Sequence, residues 1–440
     1  MTQPQSGWLA LQKGASTLTF IPHPRFRPDK LPDKLSVTLG MSMRKELRVR
    51  QMQMAPGSPR IMPTRLMQTE DGRWKAGPFI AILTSSGSGS FHGNRSNFSD
   101  IIRMGRRMGV MVFVVTPEGF RANSPTVRGW LLDSRKLRQR WVHAVLPMPH
   151  VVYNRIPTRK AEQQPAVEST LQHLLHSSQI HLFNPGFFDK WTLHLYLERS
   201  PELRSLLPET CLWNDPERFR QMAETHKILY LKPVNDKAGN GMIRIRRLQK
   251  GYEVIHQKIQ DVRHYRYADW KELLRQLPLL TSGRKYVVQQ AISLACFQER
   301  PFDLRLLVQK DGQGKWRKTG LGIRVAGKDA ISTHVPMGGS IADADQVIGT
   351  LFSSRSSEVM KIIEETGIRI AAHIEEQVGK NLGEMSMDLG LEQDGRLWFF
   401  EANAKPMKFD EPDIRQLSLK RLLQYCLFLS GFQAPARKEV

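Results

Sequence analysis

The fold of this chain is decided by the stretch MSMDLGLEQDGRLWFFEANAKPMKFDE, residues 385–411. Two apolar, strand-like runs flank the turn residues 393–395, a pattern that predicts a β-hairpin. The first run carries Asp388, and the second delivers Glu401 and Asn403. Residues two positions apart on a strand point to the same face, so Glu401 and Asn403 project together, beside Asp388 if the strands pair.

These three side chains supply two carboxylates and one amide oxygen. Such hard oxygen donors suit Mg²⁺, which binds one or two carboxylates and keeps its other positions for water and substrate phosphates. The sequence therefore predicts a magnesium site formed by Asp388, Glu401 and Asn403. A plainer interpretation stays open here, because acidic residues also end strands at a protein surface.

The composition is typical of a globular protein of two or three domains, with 440 residues of which 40% are hydrophobic. The chain contains no run of about 18 apolar residues, so we expect no membrane-spanning helix. Its three cysteines lack metal or redox spacing. The first residues lack the basic start and apolar block of a secretory signal. Together these features predict a cytoplasmic protein.

Charge is the unusual feature of the composition, since 65 Lys and Arg residues face 42 Asp and Glu residues, a net charge of +23. Residues 1–200 hold 28 basic and 12 acidic side chains, so the front half is the more cationic. A positive field attracts polyanions such as nucleic acid, an anionic polymer or an acidic protein. No aromatic ladder or reader motif accompanies the charges, which disfavours nucleic acid.

The pattern divides the chain into three predicted domains. Residues 1–78 contain half-buried strands and predict a β-rich, basic N-terminal region. Residues 79–200 predict an α/β domain, because a buried strand, a helix and a second strand follow one another and imply a parallel sheet. Residues 201–440 contain the glycine-bearing loop, the arginine strands and the acidic hairpin.

Polar side chains follow two strands of the predicted α/β domain. Asn154 and Arg155 come directly after one strand, and Asn184 follows the next. Open α/β sheets bind ligands at such strand ends. Asn and Arg also cap loops, so both interpretations stay open.

A glycine-bearing hairpin follows the apolar strand at 228–231. Lys232 ends that strand, and the loop carries Lys237, Gly239 and Gly241. Glycines let backbone N–H groups fold over phosphates, and lysines supply positive charge. The alternative is an ordinary hairpin turn, but the lysine at the strand end favours a phosphate site.

The apolar run 286–292 predicts a strand that leads into a linker and contains Gln289, Gln290 and Ile292. The backbone edge of such a segment can contact an adenine, although core packing is the alternative interpretation.

Two arginines lie on neighbouring predicted strands. The alternating run 302–309 places Asp303 and Arg305 on one face, and the next strand, 316–325, carries Arg324. Two arginines that project from adjacent strands suit a phosphate or a developing acyl phosphate. A surface ion pair between Asp303 and Arg305 is the alternative.

Taken in order, these motifs resemble the ATP-grasp superfamily and, more narrowly, the YheC/YheD family of endospore coat-associated proteins. The resemblance covers residues 80–440. The phrases that carry the narrower resemblance are VVYNRIPTR (151–159), FNPGFFDKW (183–191), LKPVNDKAGNGMIRIRR (231–247), RPFDLRLLVQKDGQGKW (300–316) and FEANAKP (400–406).

The resemblance implies an ATP-grasp fold of mixed α+β and α/β class. Two α+β lobes, a lid lobe at about 215–290 and a C-terminal lobe at about 291–440, would grip ATP after an α/β pre-ATP-grasp domain and the β-rich N-terminal region. It implies ATP and Mg²⁺ as cofactors. The implied activity is that of a ligase that activates a carboxylate as an acyl phosphate for attack by an amine.

The resemblance names neither the carboxylate nor the amine. It leaves a second role open, that of a non-catalytic component of the endospore coat. Such a component would use the basic surface to assemble with an anionic polymer or with coat proteins.

The resemblance also implies roles for particular residues. The implied nucleotide-binding set is Lys232, Lys237, Gly239, Gly241, Gln289, Gln290, Ile292 and Lys405. The loop 236–241 would cover the phosphates, and Gln290 stands where many superfamily members have Glu. Arg305 and Arg324 would hold the transferred phosphate or the acyl phosphate as catalytic residues. Asp388, Glu401 and Asn403 would bind Mg²⁺.

Overall fold

The computed structural model of the chain describes residues 4–11, 18–24, 31–50, 61–121, 123–133, 140–235, 240–258, 261–327, 333 and 338–433.

The first six strands close into a barrel in the order β1-β2-β4-β3-β6-β5. They are β1 (Gln5–Leu11), β2 (Leu18–Pro22), β3 (Lys34–Leu39), β4 (Met43–Val49), β5 (Ile61–Gln68) and β6 (Trp74–Gly77). Side chains alternate along β3, where Leu35, Val37 and Leu39 are buried and Lys34 and Ser36 are exposed. Closure pairs every strand on both sides, which leaves the barrel without a free sheet edge.

A second, mixed sheet follows in the order β12-β11-β10-β7-β13-β14. Its elements and the short hairpin beside it are β7 (Phe79–Leu83), β8 (Ser86–Gly87), β9 (Ser90–Phe91), α1 (Arg95–Met108), β10 (Met111–Val115), β11 (Thr126–Asp133), β12 (Arg140–Pro147), β13 (Val151–Asn154), α2 (Arg159–Glu162), α3 (Pro165–His176) and β14 (His181–Phe183). The predicted parallel layer is confirmed, since β10, β7, β13 and β14 pair in parallel. Phe79 and Phe113 share an apolar cluster with Phe20 and Leu66 of the barrel, so the two units have a common core.

A third sheet, built from the middle of the chain, has the order β15-β20-β16-β17-β18-β19. This region contains α4 (Lys190–Glu198), β15 (Thr210–Leu212), α5 (Pro216–Thr225), β16 (Ile228–Pro233), β17 (Met242–Arg247), β18 (Tyr252–Lys258), β19 (Asp261–Tyr267), α6 (Trp270–Thr281) and β20 (Tyr286–Gln290). Phe219 of α5 and Leu277 of α6 pack on Leu229 and Leu231. The alternate residue Lys232 therefore points to the opposite face.

The last sheet is antiparallel, in the order β24-β23-β22-β25-β26. Its elements are β21 (Cys296–Phe297), β22 (Arg300–Lys310), β23 (Trp316–Val325), β24 (Ser340–Ala342), α7 (Ala344–Phe352), α8 (Ser356–Val378), β25 (Glu384–Leu391), β26 (Leu397–Asn403) and α9 (Pro412–Leu429). Helices α4, α7 and α8 pack on one face and bury Leu304, Leu306 and Met387. The other face carries the charged side chains.

Helix α8 is confirmed over the predicted range 356–378. Val359, Ile363, Ile370 and Ile374 form its buried stripe, because residues three and four apart share one face. Gly379, with φ of 62°, ends the helix, and its N–H donates to the carbonyls of the last turn. This helix and its sheet hold the charged face in place.

Candidate active site

The charged face of the last sheet is organised by strand register. Strands β25 and β26 pair with Asp388 opposite Glu401 and with Ser386 opposite Asn403. Strand β22 places Arg305 opposite Asp388. The predicted hairpin is therefore confirmed, and the three predicted metal ligands lie on one face of two neighbouring strands.

The turn of this hairpin contains Gly395 with φ of 95°. A β-carbon is disfavoured at that backbone angle, so glycine relieves strain where the chain reverses. A register shift between Asp388 and Leu389 marks a β-bulge, a feature that changes the direction in which nearby side chains point.

Arg324 is buried in an ion cluster on this face. Its Nε and Nη2 donate to the two carboxylate oxygens of Asp303, each at 2.8 Å. The same Nη2 lies 2.9 Å from Asp388 Oδ2, and Thr333 Oγ1 donates to Asp303 Oδ2. Asp303 is thus paired with Arg324, where the sequence suggested a surface pair with Arg305.

The pKa values in this cluster reflect burial and pairing. Burial lowers the pKa of Arg324, but the charges of Asp388 and Asp303 outweigh it and raise the pKa. Burial raises the pKa of Asp303, against the charge of Arg324, which lowers it. Two carboxylates engage the guanidinium of Arg324 in this structure, and the contact with phosphate suggested by the sequence stays a prediction.

Arg305 leaves one carboxylate oxygen of Asp388 unsatisfied. The Nη1 atom of Arg305 lies 3.6 Å from Asp388 Oδ1, which is too far for a good hydrogen bond. Oδ1 is buried and has no hydrogen-bond partner among the described residues. A buried unpaired oxygen is costly, so this atom is a position where a bound ligand would be stabilising.

Lys190 reaches the same face from helix α4. Its Nζ lies 2.7 Å from Glu401 Oε2. Asp189 caps the helix by accepting a hydrogen bond from the backbone N–H of Thr192, which places Lys190 at the first helical position. Lys190 was not among the site residues predicted from sequence, although Asp189 and Lys190 lie within the phrase FNPGFFDKW at 183–191.

Lys232 approaches from the facing sheet. Its Nζ donates to Gln289 Oε1 at 2.6 Å and lies 4.9 Å from the centroid of the Phe400 ring. Burial lowers the pKa of Lys232 to about 8, and the negative charge of Glu401 opposes this shift. Helix α4 and the facing sheet therefore each contribute a lysine to one cluster, around the carboxylate of Glu401.

The two predicted adenine-pocket glutamines point in opposite directions. Gln289 faces Lys232 and donates through Nε2 to Thr210 Oγ1 at 3.2 Å. Gln290 Oε1 accepts from the backbone N–H of Glu209 at 2.8 Å, so it holds the neighbouring strand. Strand β20 ends at Gln290, two residues earlier than predicted, and Ile292 lies in the linker that follows.

The structure uses Lys405 for a contact with the second sheet. Its Nζ donates to the Ile156 carbonyl at 3.2 Å and to the Glu162 carboxylate. It also lies 4.4 Å from the centroid of the Phe187 ring. In this structure Lys405 is buried in these contacts, and its expected contact with phosphate or substrate stays a prediction.

The region that forms this site matches a known protein family. A sequence profile described as YheC/D like ATP-grasp matches residues 179–429. The chain belongs to this ATP-grasp family. The resemblance expected from the sequence motifs is confirmed, and so is the ATP-grasp fold, with the lid-lobe sheet and the C-terminal sheet as its two α+β lobes.

Two curated relatives of this ATP-grasp chain come from Bacillus subtilis (strain 168). The chain is 28% identical over 366 residues to endospore coat-associated protein YheD. The aligned stretch covers 80% of this chain and 79% of YheD. It is 21% identical over 271 residues to endospore coat-associated protein YheC, which covers 60% of this chain and 73% of that protein.

Solved structures similar to the chain include the ATP-grasp ligase PsnB in complex with a minimal precursor. That similarity has a TM-score of 0.45 and 14% identity, and it covers 81% of this chain and 99% of PsnB. D-alanyl-alanine synthetase A from Vibrio cholerae O1 has a TM-score of 0.45 and 11% identity, and it covers 81% of this chain and 98% of that enzyme.

The loop 236–241, which was expected to cover the phosphates, is described only at residues 240 and 241. Gly241, with φ of 76°, donates through its N–H to the Gln257 carbonyl and accepts from Tyr286 Oη at 2.8 Å. Lys237 and Gly239 lie outside the described residues.

The helices that are described are too short or too polar to cross a membrane.

The donor set of the ATP-grasp site fits a magnesium ion. Over the described part of the chain, no cluster of three His, Cys, Asp or Glu side chains is placed to hold a metal, and the predicted set at this site has two carboxylates and the amide of Asn403. Asp388 Oδ1 is buried without a hydrogen-bond partner and lies on the face shared with Glu401 and Asn403. Two carboxylates and one amide oxygen are the hard donors that Mg²⁺ takes alongside phosphates and water.

Proposed function

We propose that the protein is an ATP- and Mg²⁺-dependent ligase that activates a carboxylate as an acyl phosphate and joins it to an amine. The observation that supports this most is the convergence of lysines from two directions on one acidic hairpin. Lys190 contacts Glu401, and Lys232 lies beside Phe400. Cations beside hard oxygen donors are what a triphosphate with its magnesium ion requires.

The nucleotide binds between the two facing sheets in this proposal. Lys232 and Lys190 neutralise the phosphates, because each presents a positive charge to the cleft. Gln289 orients Lys232 through their 2.6 Å hydrogen bond. The linker that contains Ile292 borders the adenine, and the hairpin 236–241 covers the phosphates.

Asp388, Glu401 and Asn403 hold the magnesium ion. When bound there, the ion supplies Lewis-acid stabilisation of charge on the phosphates. In this proposal the magnesium ion takes the place of Lys190 as the partner of Glu401 when nucleotide binds. Lys190 then turns towards the phosphate oxygens.

Two chemical steps follow. A carboxylate oxygen of the first substrate attacks the γ-phosphorus of ATP, the bond to the bridging oxygen breaks, and ADP leaves with the electron pair. The amine nitrogen of the second substrate then attacks the acyl carbon, phosphate departs, and the nitrogen loses a proton. Arg305 binds the transferred phosphoryl group, because its side chain is 23% exposed and carries a guanidinium on the same face as Asp388.

Arg324 acts as a positioning residue in this scheme. Its bonds to Asp303 and Asp388 fix the carboxylate that holds the metal. Enclosure of the cleft by the hairpin excludes water, which protects the acyl phosphate from hydrolysis.

The proposed setting is the endospore coat, because both curated relatives carry that association in their names. A second role is assembly on an anionic polymer or coat protein, which the net charge of +23 favours. Lys34, Arg44, Arg48 and Lys75 are exposed on strands of the N-terminal barrel and provide cations for this role.

The test is release of ADP from ATP and Mg²⁺ in the presence of amino acids, peptides and cell-wall fragments. We expect release to require both a carboxylate and an amine, and to disappear in the Arg305→Gln variant. If no combination releases ADP above the rate of an Arg305→Gln control, while the protein binds an anionic polymer in a salt-dependent manner, the assembly role replaces the ligase.

A further inference from the structure

Three consecutive residues after the predicted metal ligand Asn403 are each held by a different part of the second sheet. We call residues 404–406 the tethered segment. The carbonyl of Ala404 accepts a hydrogen bond from Asn184 Nδ2, and that of Pro406 accepts from Arg155 Nη2 at 3.0 Å. Lys405 lies between them, in an ion pair with Glu162.

Asn184 bonds to both strands that carry the metal ligands. Its Oδ1 accepts from the N–H groups of Gly383 at 2.8 Å and Glu384 at 3.3 Å. Its Nδ2 donates to the Glu384 carbonyl at 2.7 Å and to the Ala404 carbonyl. One fully buried amide thus joins the first residue of β25 to the residue that follows β26.

The backbone of Asn184 adopts an unusual conformation. Its φ is 54°, in the left-handed region, which residues other than glycine seldom occupy, although Asn does so more readily than most. Its backbone N–H donates to the Asn381 carbonyl at 2.9 Å. Every polar group of the side chain is therefore satisfied by the C-terminal lobe, and none is left for a ligand.

Arg155 makes the second attachment. Its Nη1 lies 3.4 Å from Glu384 Oε1, and Tyr153 Oη donates to the same carboxylate. Gln309 Nε2 donates to Glu384 Oε2 at 2.9 Å. Glu384 is thus satisfied on both oxygens, and Arg155 is free to direct its other nitrogen to the tethered segment.

The attachments lie close in sequence to the proposed magnesium ligands. Asn403 directly precedes Ala404, and Glu401 is two residues earlier, while Asp388 is four residues beyond Glu384. Hydrogen bonds to metal-ligating side chains orient them, and the loss of such a bond weakens metal affinity about 10- to 100-fold. Bonds that fix the backbone beside those side chains act in the same direction. A strand end without them is free to fray.

We propose that Asn184 and Arg155 are positioning residues, which hold Asp388, Glu401 and Asn403 in metal-binding geometry. They do so by fixing the start of β25 and the residues after β26, at the end of the hairpin opposite its turn. The inference rests on the proposed function, since it concerns the same magnesium site. The α/β domain thereby completes the site of a neighbouring lobe through backbone contacts and contributes no ligand itself.

The test is binding of Mn²⁺, as a probe for Mg²⁺, in the presence of ADP, followed by electron paramagnetic resonance. Asn184→Gly keeps the left-handed backbone and removes the amide. Asn184→Asp keeps the acceptor oxygen but places a second oxygen against the carbonyls of Glu384 and Ala404. Arg155→Lys keeps a cation near Glu384 but shortens its reach to Pro406.

We expect each of the three variants to weaken Mn²⁺ binding about tenfold or more, while ADP affinity in the presence of a chelator stays within about twofold. Thr64→Val is the matched control, because it removes a buried side-chain hydrogen bond of 3.2 Å, to the Gly77 carbonyl in the barrel. This control should leave Mn²⁺ affinity unchanged even if it lowers the melting temperature.

The outcomes separate the two ideas. If the wild-type protein binds no Mn²⁺ with ADP, the proposed function fails. If wild type binds Mn²⁺ and the folded Asn184 and Arg155 variants bind it equally well, the positioning role is refuted and the ligase remains. Equal loss in these variants and in Thr64→Val also refutes it, because general destabilisation would then explain the effect.

Discussion

The ammonium group of Lys190 lies 2.7 Å from Glu401 Oε2. The two residues are far apart in sequence. Lys190 is the first residue of helix α4, and Glu401 lies near the end of strand β26. The ion pair joins two residues near opposite ends of the region, 179–429, that matches the ATP-grasp family. This relationship defines where phosphate and metal would meet.

Replacement of Lys190 by Met should weaken the binding of ADP with Mg²⁺ about 10- to 100-fold. The change removes one charge-assisted contact to phosphate, which contributes about 1.5–3 kcal/mol. Isothermal titration calorimetry measures the effect, with Lys227→Met as the control, since Lys227 is exposed next to strand β16. Equal affinities of Lys190→Met and wild type would remove Lys190 from the phosphate site.

Binding of ADP should become coupled to proton uptake above neutral pH. The pKa of Lys232 is lowered to about 8 by burial, and phosphate would raise it again. The side chain is therefore partly neutral at pH 8 to 9 in the free protein and becomes protonated when nucleotide binds. Affinity falls as pH rises through this window.

Calorimetry at pH 8.5 in buffers of different ionisation enthalpy counts the protons taken up. We expect a fraction of a proton for wild type and a clearly smaller uptake for Lys232→Met. Uptake of the same size in the variant would show that another group titrates.

The same depressed pKa has a consequence for stability. Between pH 8 and about 10.4, the usual pKa of lysine, the unfolded chain binds more protons at this residue than the folded protein does. The contribution of Lys232 to the free energy of unfolding therefore rises with pH across that window. Chemical denaturation of wild type and Lys232→Met at pH 7.5 and 9.5 measures it, and an equal pH response of the two proteins would contradict the shift.

Loss of Arg324 should destabilise the folded protein strongly. Arg324→Met removes the paired cation of the buried Asp303 carboxylate and leaves Asp388 only the longer 3.6 Å contact with Arg305, a change that costs about 3–5 kcal/mol. Arg317→Met on the same strand is the control, because Arg317 is 49% exposed in its pair with Asp311. Such exposed pairs contribute up to about 1 kcal/mol. Urea unfolding that shows similar losses for both variants would contradict the buried cluster.

Gly367 of helix α8 packs against Leu306 of strand β22. A β-carbon at this position would lie 2.1 Å from Leu306 Cδ2, so Gly367→Ala forces the fully buried Leu306 side chain or the helix to shift. We expect a loss of about 1–3 kcal/mol from overpacking, larger than the gain of about 1 kcal/mol in helix propensity. Gly349→Ala in helix α7 is the control, since no atom lies within 4 Å of its β-carbon. That variant should be as stable as wild type or more stable by thermal denaturation.

The parts of the fold that were predictable from sequence are those governed by local pattern. Apolar alternation and the turn glycine predicted the hairpin of Asp388 and Glu401, and a 3.6-residue period predicted helix α8 at both ends. The same reasoning extended strand β20 two residues too far, because apolar character continues into the linker at Ile292.

The site was less predictable, because side-chain partners are set by tertiary contacts. The residue type of Arg324 suits phosphate, but the fold places two carboxylates around it. Lys405 follows the metal ligands in sequence, yet its partner is Glu162. Asn184 ends a parallel strand where ligands often bind, and the C-terminal lobe occupies all its polar atoms. No local pattern announces such long-range pairs.

The central claim is that the acidic hairpin and the lysines form one magnesium–nucleotide site. Its most direct test is calorimetric titration of the wild-type protein with a non-hydrolysable ATP analogue, with and without Mg²⁺. We predict saturable binding at a single site that is at least about tenfold weaker without Mg²⁺, and at least about tenfold weaker with Mg²⁺ in folded Asp388→Ala and Glu401→Ala variants. The absence of saturable binding by wild type, or unchanged affinity in both variants, would contradict the account.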